Sequence, residues 1–148
     1  MMNTTVRLKK LDPQAVLPTY GTPDAAGADL YALCAQPQTI APGETVLVHT
    51  GIALEIPTGY VGLIFARSGL ATKRGLAPAN KVGVIDADYR GEIMVALYNQ
   101  ASVAQTVENG ERIAQLVITP FLQAAFTECD ELSDTRRGEG GFGSTGTK

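Results

Sequence analysis

Apolar and polar positions alternate most regularly between Thr45 and Ile56. Val46, Val48, Thr50, Ile52, Leu54 and Ile56 fall on one face at period two. Leu47, His49, Gly51, Ala53 and Glu55 fall on the other, as in a half-buried strand. Pro57-Thr58-Gly59 turns the chain, and Val61 to Phe65 follows as a continuous apolar run of the kind a buried strand carries. Val82 to Ile85 and Ile93 to Tyr98 flank the polar segment from Asp86 to Gly91, which predicts a β-hairpin with a longer loop. Ile113 to Ile118 predicts another buried strand, ended by Pro120; Val6 to Leu11 and Ala124 to Glu128 are weaker strand patterns. One stretch predicts a helix. Ser68 stands as its N-cap, and residues 69–74 give one or two turns before Gly75.

Sixteen glycines and eight prolines punctuate these runs, so long helices have little room. Short apolar runs between turn signals predict an all-β sandwich or barrel and not βαβ units. The 148 residues fit one domain. Charged residues make up 18% and hydrophobic ones 45%, which excludes a disordered adaptor. The formal net charge of −3 argues against a nucleic-acid binder. No apolar run approaches the roughly 20 residues that span a bilayer, and Met1 to Lys10 lacks a signal-peptide core. Cys34 and Cys129 are far apart and in no CxxC pattern, which with these absences leads to the expectation of a reduced, cytoplasmic chain. After Leu132 the composition becomes glycine-rich and core-poor. The expected organisation is therefore a β domain over residues 1–132 and a mobile C-terminal arm over residues 133–148.

Candidate chemistry lies in five islands, each in a loop or at a strand end: residues 26–32, 66–71, 83–93, 110–116 and 137–146. The one histidine, His49, sits inside the best strand and reads as a strand residue. Arg67-Ser68-Gly69 offers a guanidinium, a hydroxyl and free backbone N–H groups to an anion, or forms an ordinary helix start. Arg137 with its glycines, Ser144 and Thr145 is a phosphate-cradling loop or a flexible tail. Phe142 on such an arm suits stacking on a base. Asp86 follows an apolar run, where a partly desolvated, fixed carboxylate can act as general base; turn chemistry is the alternative. Asp29 is a carboxylate that holds magnesium through water or a turn cap. Together the islands supply the parts of phosphoryl chemistry: cations, backbone donors, carboxylates and a stacking ring.

All five islands, in order, resemble the five motifs of the trimeric dUTPases, above all Gly83-to-Ile93 followed by Gly140-Gly141-Phe142-Gly143-Ser144-Thr145-Gly146. The resemblance implies a small β jelly roll in a homotrimer with three shared active sites. It implies Mg-assisted water attack at the α-phosphorus of dUTP, giving dUMP and diphosphate. That reaction keeps uracil out of DNA and supplies dUMP for dTTP synthesis. Residue by residue, Asp86 resembles the group that activates the water. Tyr89 resembles the platform under the deoxyribose, where a ribose 2′-hydroxyl collides. Asn80 and the backbone of Val84 and Ile85 resemble the hairpin that reads uracil, with Met94, on its returning strand, lining the same pocket. Arg67, Ser68, Gly69 and Gln115 resemble the phosphate-binding set. Asp29 resembles the carboxylate that holds Mg²⁺ through water. Arg137, Phe142, Ser144 and Thr145 resemble an arm that closes over a neighbour's site. Against a dCTP deaminase stand Asp86, Tyr89 and Gly69; against a non-catalytic trimer that only binds partners stand Asp86, Arg67, Gln115 and Phe142, all present.

Overall fold

The computed structural model describes residues 4–146; residues 1–3 and 147–148, the outer ends of the expected domain and arm, lie outside them. The described elements, in chain order, are β1 (Arg7–Lys10), β2 (Thr19–Tyr20), β3 (Ala28–Tyr31), β4 (Gln38–Ile40), β5 (Thr45–Glu55), β6 (Tyr60–Phe65), α1 (Ser68–Arg74), β7 (Leu76–Pro78), β8 (Gly83–Ile85), β9 (Glu92–Asn99), β10 (Gln105–Val107) and β11 (Arg112–Pro120). They form a four-stranded sheet in the order β1-β5-β9-β7, a five-stranded sheet in the order β2-β3-β11-β6-β8, and the pair β10-β4. Every pairing is antiparallel. This is the all-β jelly-roll architecture expected from the sequence, with one short helix among the described residues.

The core fills the space between the sheets. Val48, Ile52, Leu54, Ile93, Val95 and Leu97 from the four-stranded sheet meet Leu30, Ile64, Ile113 and Leu116 from the five-stranded one, all buried. Each such side chain contributes about 1.5–3 kcal/mol by leaving water. The period-two pattern of β9 is followed faithfully: Ile93, Val95 and Leu97 point inward while Met94 remains exposed. Strand β5 is less regular. Its register against β9 runs from His49↔Met94 to Ala53↔Glu92, so four steps on β5 span two on β9. Gly51 sits in this bulge at φ +70°, where a Cβ would lie 2.5 Å from a Leu33 methyl; glycine is required by both backbone and space.

Three expectations are corrected. The segment 82–85 does not fold back on 93–98. Strand β8 pairs with β6 in one sheet and β9 pairs with β5 and β7 in the other, so residues 86–91 cross between sheets. Ser68 is not the N-cap. It is already helical, and the cap is the extended Arg67, which makes no side-chain capping bond. At the other end Gly75 does close the helix, left-handed at φ 69° with its N–H on Leu70 O and Ala71 O. Residues 124–128 form no strand. The chain leaves the sheets at Phe121, whose N–H still reaches Gly59 O at 3.1 Å, ahead of the change in composition at Ser133. Beyond it Leu122, Phe126 and Leu132 are almost wholly exposed, so an apolar run finds no partner strand within its own chain.

Candidate active site

The first, second and fourth islands converge at one end of the five-stranded sheet. Strand β11 runs between β3 and β6, so Gln115 lies opposite both Asp29 and Phe65. Its amide donates to Ala66 O at 2.8 Å, and its other end comes so close to Gly27 that any Cβ there would collide. Asp29 is not a turn residue but the buried second position of β3. Its Oδ1 accepts from Arg67 Nε at 2.9 Å and its Oδ2 from Arg112 at 3.3 Å. Arg67 also reaches Arg112 O at 3.4 Å. Two cations are thereby held side by side by one buried carboxylate. Arg112 lies within the fourth island, but no role is assigned to it from sequence; its contact with Asp29 emerges only when β11 pairs with β3. Ser68 and Gly69 open α1 next to Arg67, and a Cβ at Gly69 would meet nothing within 4 Å, so the helix start is open to a ligand.

The third island builds a second centre. Val84, Ile85, Asp86, Tyr89, Glu92 and Met94 line a concavity of about 190 Å³. Asn80 lies in the turn before β8, its amide nitrogen 3.5 Å from where a Gly83 Cβ would stand. The loop is held by its own bonds. Tyr89 N–H donates to Asp86 O at 3.1 Å, and Tyr89 Oη–H donates to Glu92 O at 2.9 Å. Arg90 folds back onto Ala87 O at 2.6 Å and Tyr89 O at 3.1 Å. A Cβ at Gly91 would sit 2.6 Å from Tyr89 Cζ, so the ring lies directly over the glycine and would have to move aside for any larger residue. The expectation that Asp86 is partly desolvated is corrected: in the single chain its side chain is exposed, because the crossing loop leaves the core immediately after Ile85. Glu92 is the residue of this centre that sequence reading missed, since it looks like one more charge in a polar loop.

The fifth island joins neither centre. Arg137, Ser144 and Thr145 are exposed, Arg137 Nε donates to Gly140 O at 2.7 Å, and Phe142 is fully exposed at φ +50°. The hydrogen bonds described for residues 122–146 all stay within that segment. No cluster of three or more His, Cys, Asp or Glu residues capable of holding a metal ion occurs among the described residues, and no helix among them is long and apolar enough to cross a membrane. His49 Nδ1 lies 2.9 Å from Glu92 Oε2. Burial, with Glu111 and Glu108 adding to it, pushes the Cys34 thiol above its ordinary value of 9.0.

An arginine pair held by one carboxylate and a concavity lined by Tyr89 thus lie apart on one jelly roll, with a glycine-rich tail that joins neither. The profile of the dUTPase family matches residues 13–146, and the chain belongs to that family of dUTP-hydrolysing enzymes. It is 55% identical over 136 residues to a deoxyuridine 5'-triphosphate nucleotidohydrolase of Desulfitobacterium hafniense, covering 91% of this chain and 90% of that one. A protein of the same name from Aeromonas salmonicida is 49% identical over 150 residues, covering 98% and 99%. Among solved structures, a variant of the dUTPase of Staphylococcus bacteriophage 80alpha with dUpNHpp superposes with a TM-score of 0.89 at 30% identity, covering 98% of this chain and 100% of that one. A variant of the dUTPase from phage phi11 of S. aureus, which coordinates a structural Mg(II) ion, gives a TM-score of 0.78 at 26% identity over 86% and 98%.

Proposed function

We propose that this chain hydrolyses dUTP to dUMP and diphosphate by water attack at the α-phosphorus, in a homotrimer whose sites combine segments of different chains. One observation carries the shared site. The β6–β8 register pairs Gly62 with Ile85, so Asp86 lies level with Val61. Arg67 is six residues further along an extended chain, roughly 20 Å away at about 3.3 Å per residue. Its guanidinium is turned onto Asp29. With that guanidinium committed to Asp29 and not directed along β6 toward Asp86, one chain is poorly arranged to present both groups to one triphosphate, whereas two copies can each supply one half. The core-poor arm from Ser133 onward, including Arg137, Phe142, Ser144 and Thr145, then closes over a site to which its own β domain need not contribute.

Each residue has a role that its geometry supports. β8 is an edge strand, so one row of its backbone N–H and C=O groups is free to pair with the edge of uracil. A cytosine edge leaves those groups unpaired, and such mismatches support rejection by roughly 10⁴–10⁵. The concavity beside Val84, Ile85 and Met94 leaves little room for a thymine methyl. Tyr89 supports the deoxyribose. Asp86 orients and deprotonates the water, and its exposure in the free chain means that assembly and substrate must exclude solvent around it. Arg67, Ser68, Gly69 and Gln115 take the phosphates, with Arg112 adding a second cation behind Arg67.

A resident metal cage is not needed for this chemistry. Mg²⁺ keeps several waters and travels with phosphates, so one nearby carboxylate suffices. Asp29 fits: each of its oxygens accepts one guanidinium bond, and a carboxylate offers about four acceptor sites in all. Bound there through water, the ion would neutralise phosphate charge. A cytoplasmic location, in keeping with the free Cys34 and Cys129, and a role in keeping uracil out of DNA while supplying dUMP for dTTP synthesis belong to the same proposal. The test is diphosphate release from dUTP, dTTP, dCTP and UTP, with and without Mg²⁺. Strong preference for dUTP and Mg²⁺ is expected, with ¹⁸O from water in dUMP. Equal turnover of UTP, or label in diphosphate, would overturn the assignment. Asp86→Asn should lower turnover by roughly 10²–10⁴-fold with nucleotide affinity largely kept.

A further inference from the structure

The geometry points to Glu92 as a positioning residue that fixes the Asp86–Gly91 loop and so sets discrimination between deoxyribose and ribose at Tyr89. The inference rests on the proposed placement of Tyr89 under the sugar. The loop crosses from β8 in one sheet to β9 in the other, so its shape depends on what anchors its far end. That end is Glu92, the first residue of β9. Its backbone carbonyl accepts the Tyr89 hydroxyl at 2.9 Å. Each oxygen of its carboxylate is engaged in the other direction. Oε1 accepts Gly51 N–H at 2.9 Å, and Oε2 lies 2.9 Å from His49 Nδ1.

Gly51 and His49 belong to the bulge of β5, where the extra residues leave ladder positions opposite β9 without regular partners. Glu92 supplies the missing acceptor from its side chain. The carboxylate is largely covered, at 22% exposure, while His49 is 54% exposed. Gly51 is itself fixed, because its carbonyl accepts Leu11 N–H at 2.7 Å and its Cα faces Leu33 and Ala15. A continuous set of bonds therefore runs from a rigid bulge, through the Glu92 side chain and backbone, to the Tyr89 ring. From Tyr89 it passes by the N–H to Asp86 O. The chain's one histidine, which sequence reading left as a strand residue, gains a purpose as a lateral brace for that carboxylate.

The chemistry predicts which replacement is tolerated. In Glu92→Gln the amide oxygen can still accept Gly51 N–H, and the amide N–H₂ can donate to His49 Nδ1 when the imidazole proton sits on Nε2. Glu92→Ala removes both bonds and leaves the Tyr89 platform tethered only by a mobile backbone. The wild-type protein, Glu92→Gln and Glu92→Ala are compared in three readouts: kcat and KM for dUTP, the ratio of kcat/KM for dUTP to that for UTP, and backbone amide exchange of residues 86–92. Glu92→Ala should narrow the dUTP:UTP ratio by about tenfold or more, mainly through KM, as expected when a binding surface is misplaced by about 1 Å. Amide exchange should rise in the loop but not in the centres of β5 and β9. Glu92→Gln should return to within a few-fold of the wild type in both. An unchanged ratio and unchanged loop exchange in Glu92→Ala, with only a lower melting temperature, would make Glu92 a structural residue and overturn the inference. A wild-type protein that does not hydrolyse dUTP would instead defeat the proposed function, and the exchange measurement would still decide the positioning role.

Discussion

A mixture of two inactive variants, Arg67→Ala and Asp86→Asn, separates a shared site from a site within one chain. Each variant removes one of the two centres that β6 holds roughly 20 Å apart. Arg67→Ala leaves Asp29 with its second partner, Arg112 at 3.3 Å, so the buried carboxylate keeps a counter-ion and the chain should fold. In the proposed closed ring of three, each site would take Asp86 from one chain and Arg67 from the next in a fixed rotational sense. With equal amounts and random assembly, a given site is intact when the first chain is the Arg67 variant and the next is the Asp86 variant. That happens for about one site in four, carried singly by the mixed trimers. The two proteins are co-refolded from mild denaturant, trimer mass is checked by light scattering, and diphosphate release from dUTP is measured. About a quarter of wild-type specific activity is expected, against near-background activity for each variant alone. Mixed trimers that stay at background would refute the shared site, because a site within one chain always carries one lesion.

Four further outcomes are expected. Gly91→Ala should push the Tyr89 ring off Glu92 O, since the new Cβ would stand 2.6 Å from Cζ; the lost hydrogen bond of about 0.5–1.5 kcal/mol should appear as a several-fold rise in KM for dUTP. Gly51→Ala combines a left-handed φ of +70° with a Leu33 contact at 2.5 Å, so urea denaturation should show a loss of roughly 2–5 kcal/mol, the sum of strain and overpacking. Cys129 is exposed and should be alkylated before Cys34, whose rate should still be rising above pH 9.0; the folded state holds the Cys34 proton more tightly, so that contribution to stability is complete below pH 9.0 and is lost as pH climbs through the raised value. Phe142→Trp places the chain's one tryptophan on the arm, and its emission should change on adding a non-hydrolysable dUTP analogue with Mg²⁺ but less with dUMP; equal responses would mean that the outer phosphates do not close the arm.

Much of the fold is legible because its strands are half-buried. The alternation in 45–50 and 93–98 follows directly from one face meeting the core, whereas from Gly51 to Leu54 the bulge buries both faces of β5; Gly75 ends the helix because a left-handed residue was needed there. What sequence order hides is the sheet to which a strand belongs. Residues 82–85 and 93–98 are neighbours along the chain, yet β6 captures the first and β5 the second, so a loop that reads as a hairpin tip is a crossing between layers. Ser68 is a good capping residue by type, but the extended Arg67, committed to Asp29, takes the cap position first. Residues 124–128 carry a strand's composition without a partner in the same chain to satisfy their backbone. At the site, Asp86, Tyr89 and Arg67 are legible as chemistry in loops. Arg112 and Glu92 are not, because each acts through a contact with a residue far away in sequence: Arg112 with Asp29, Glu92 with Gly51 and His49.

The separation of the two centres also explains how a net-negative protein can handle a substrate of about four negative charges without trapping it. In the free chain Arg67 and Arg112 are partly neutralised by Asp29, and Asp86 stands in water at the far end of β6. Neither half is a strong phosphate site or a strong base by itself. In the proposed trimer, assembly would bring the arginine pair of one copy against the carboxylate of another, and the arm, on closing, would remove water from both. Ordering that arm costs about 1–2 kcal/mol per residue in backbone entropy, so it holds only while the triphosphate supplies contacts to Arg137, Ser144 and Thr145. On this proposal, departure of diphosphate removes those contacts, and the same entropy reopens the site. A tail rich in glycine is therefore suited to release as much as to closure, and stiffening it would slow product departure before it slowed chemistry.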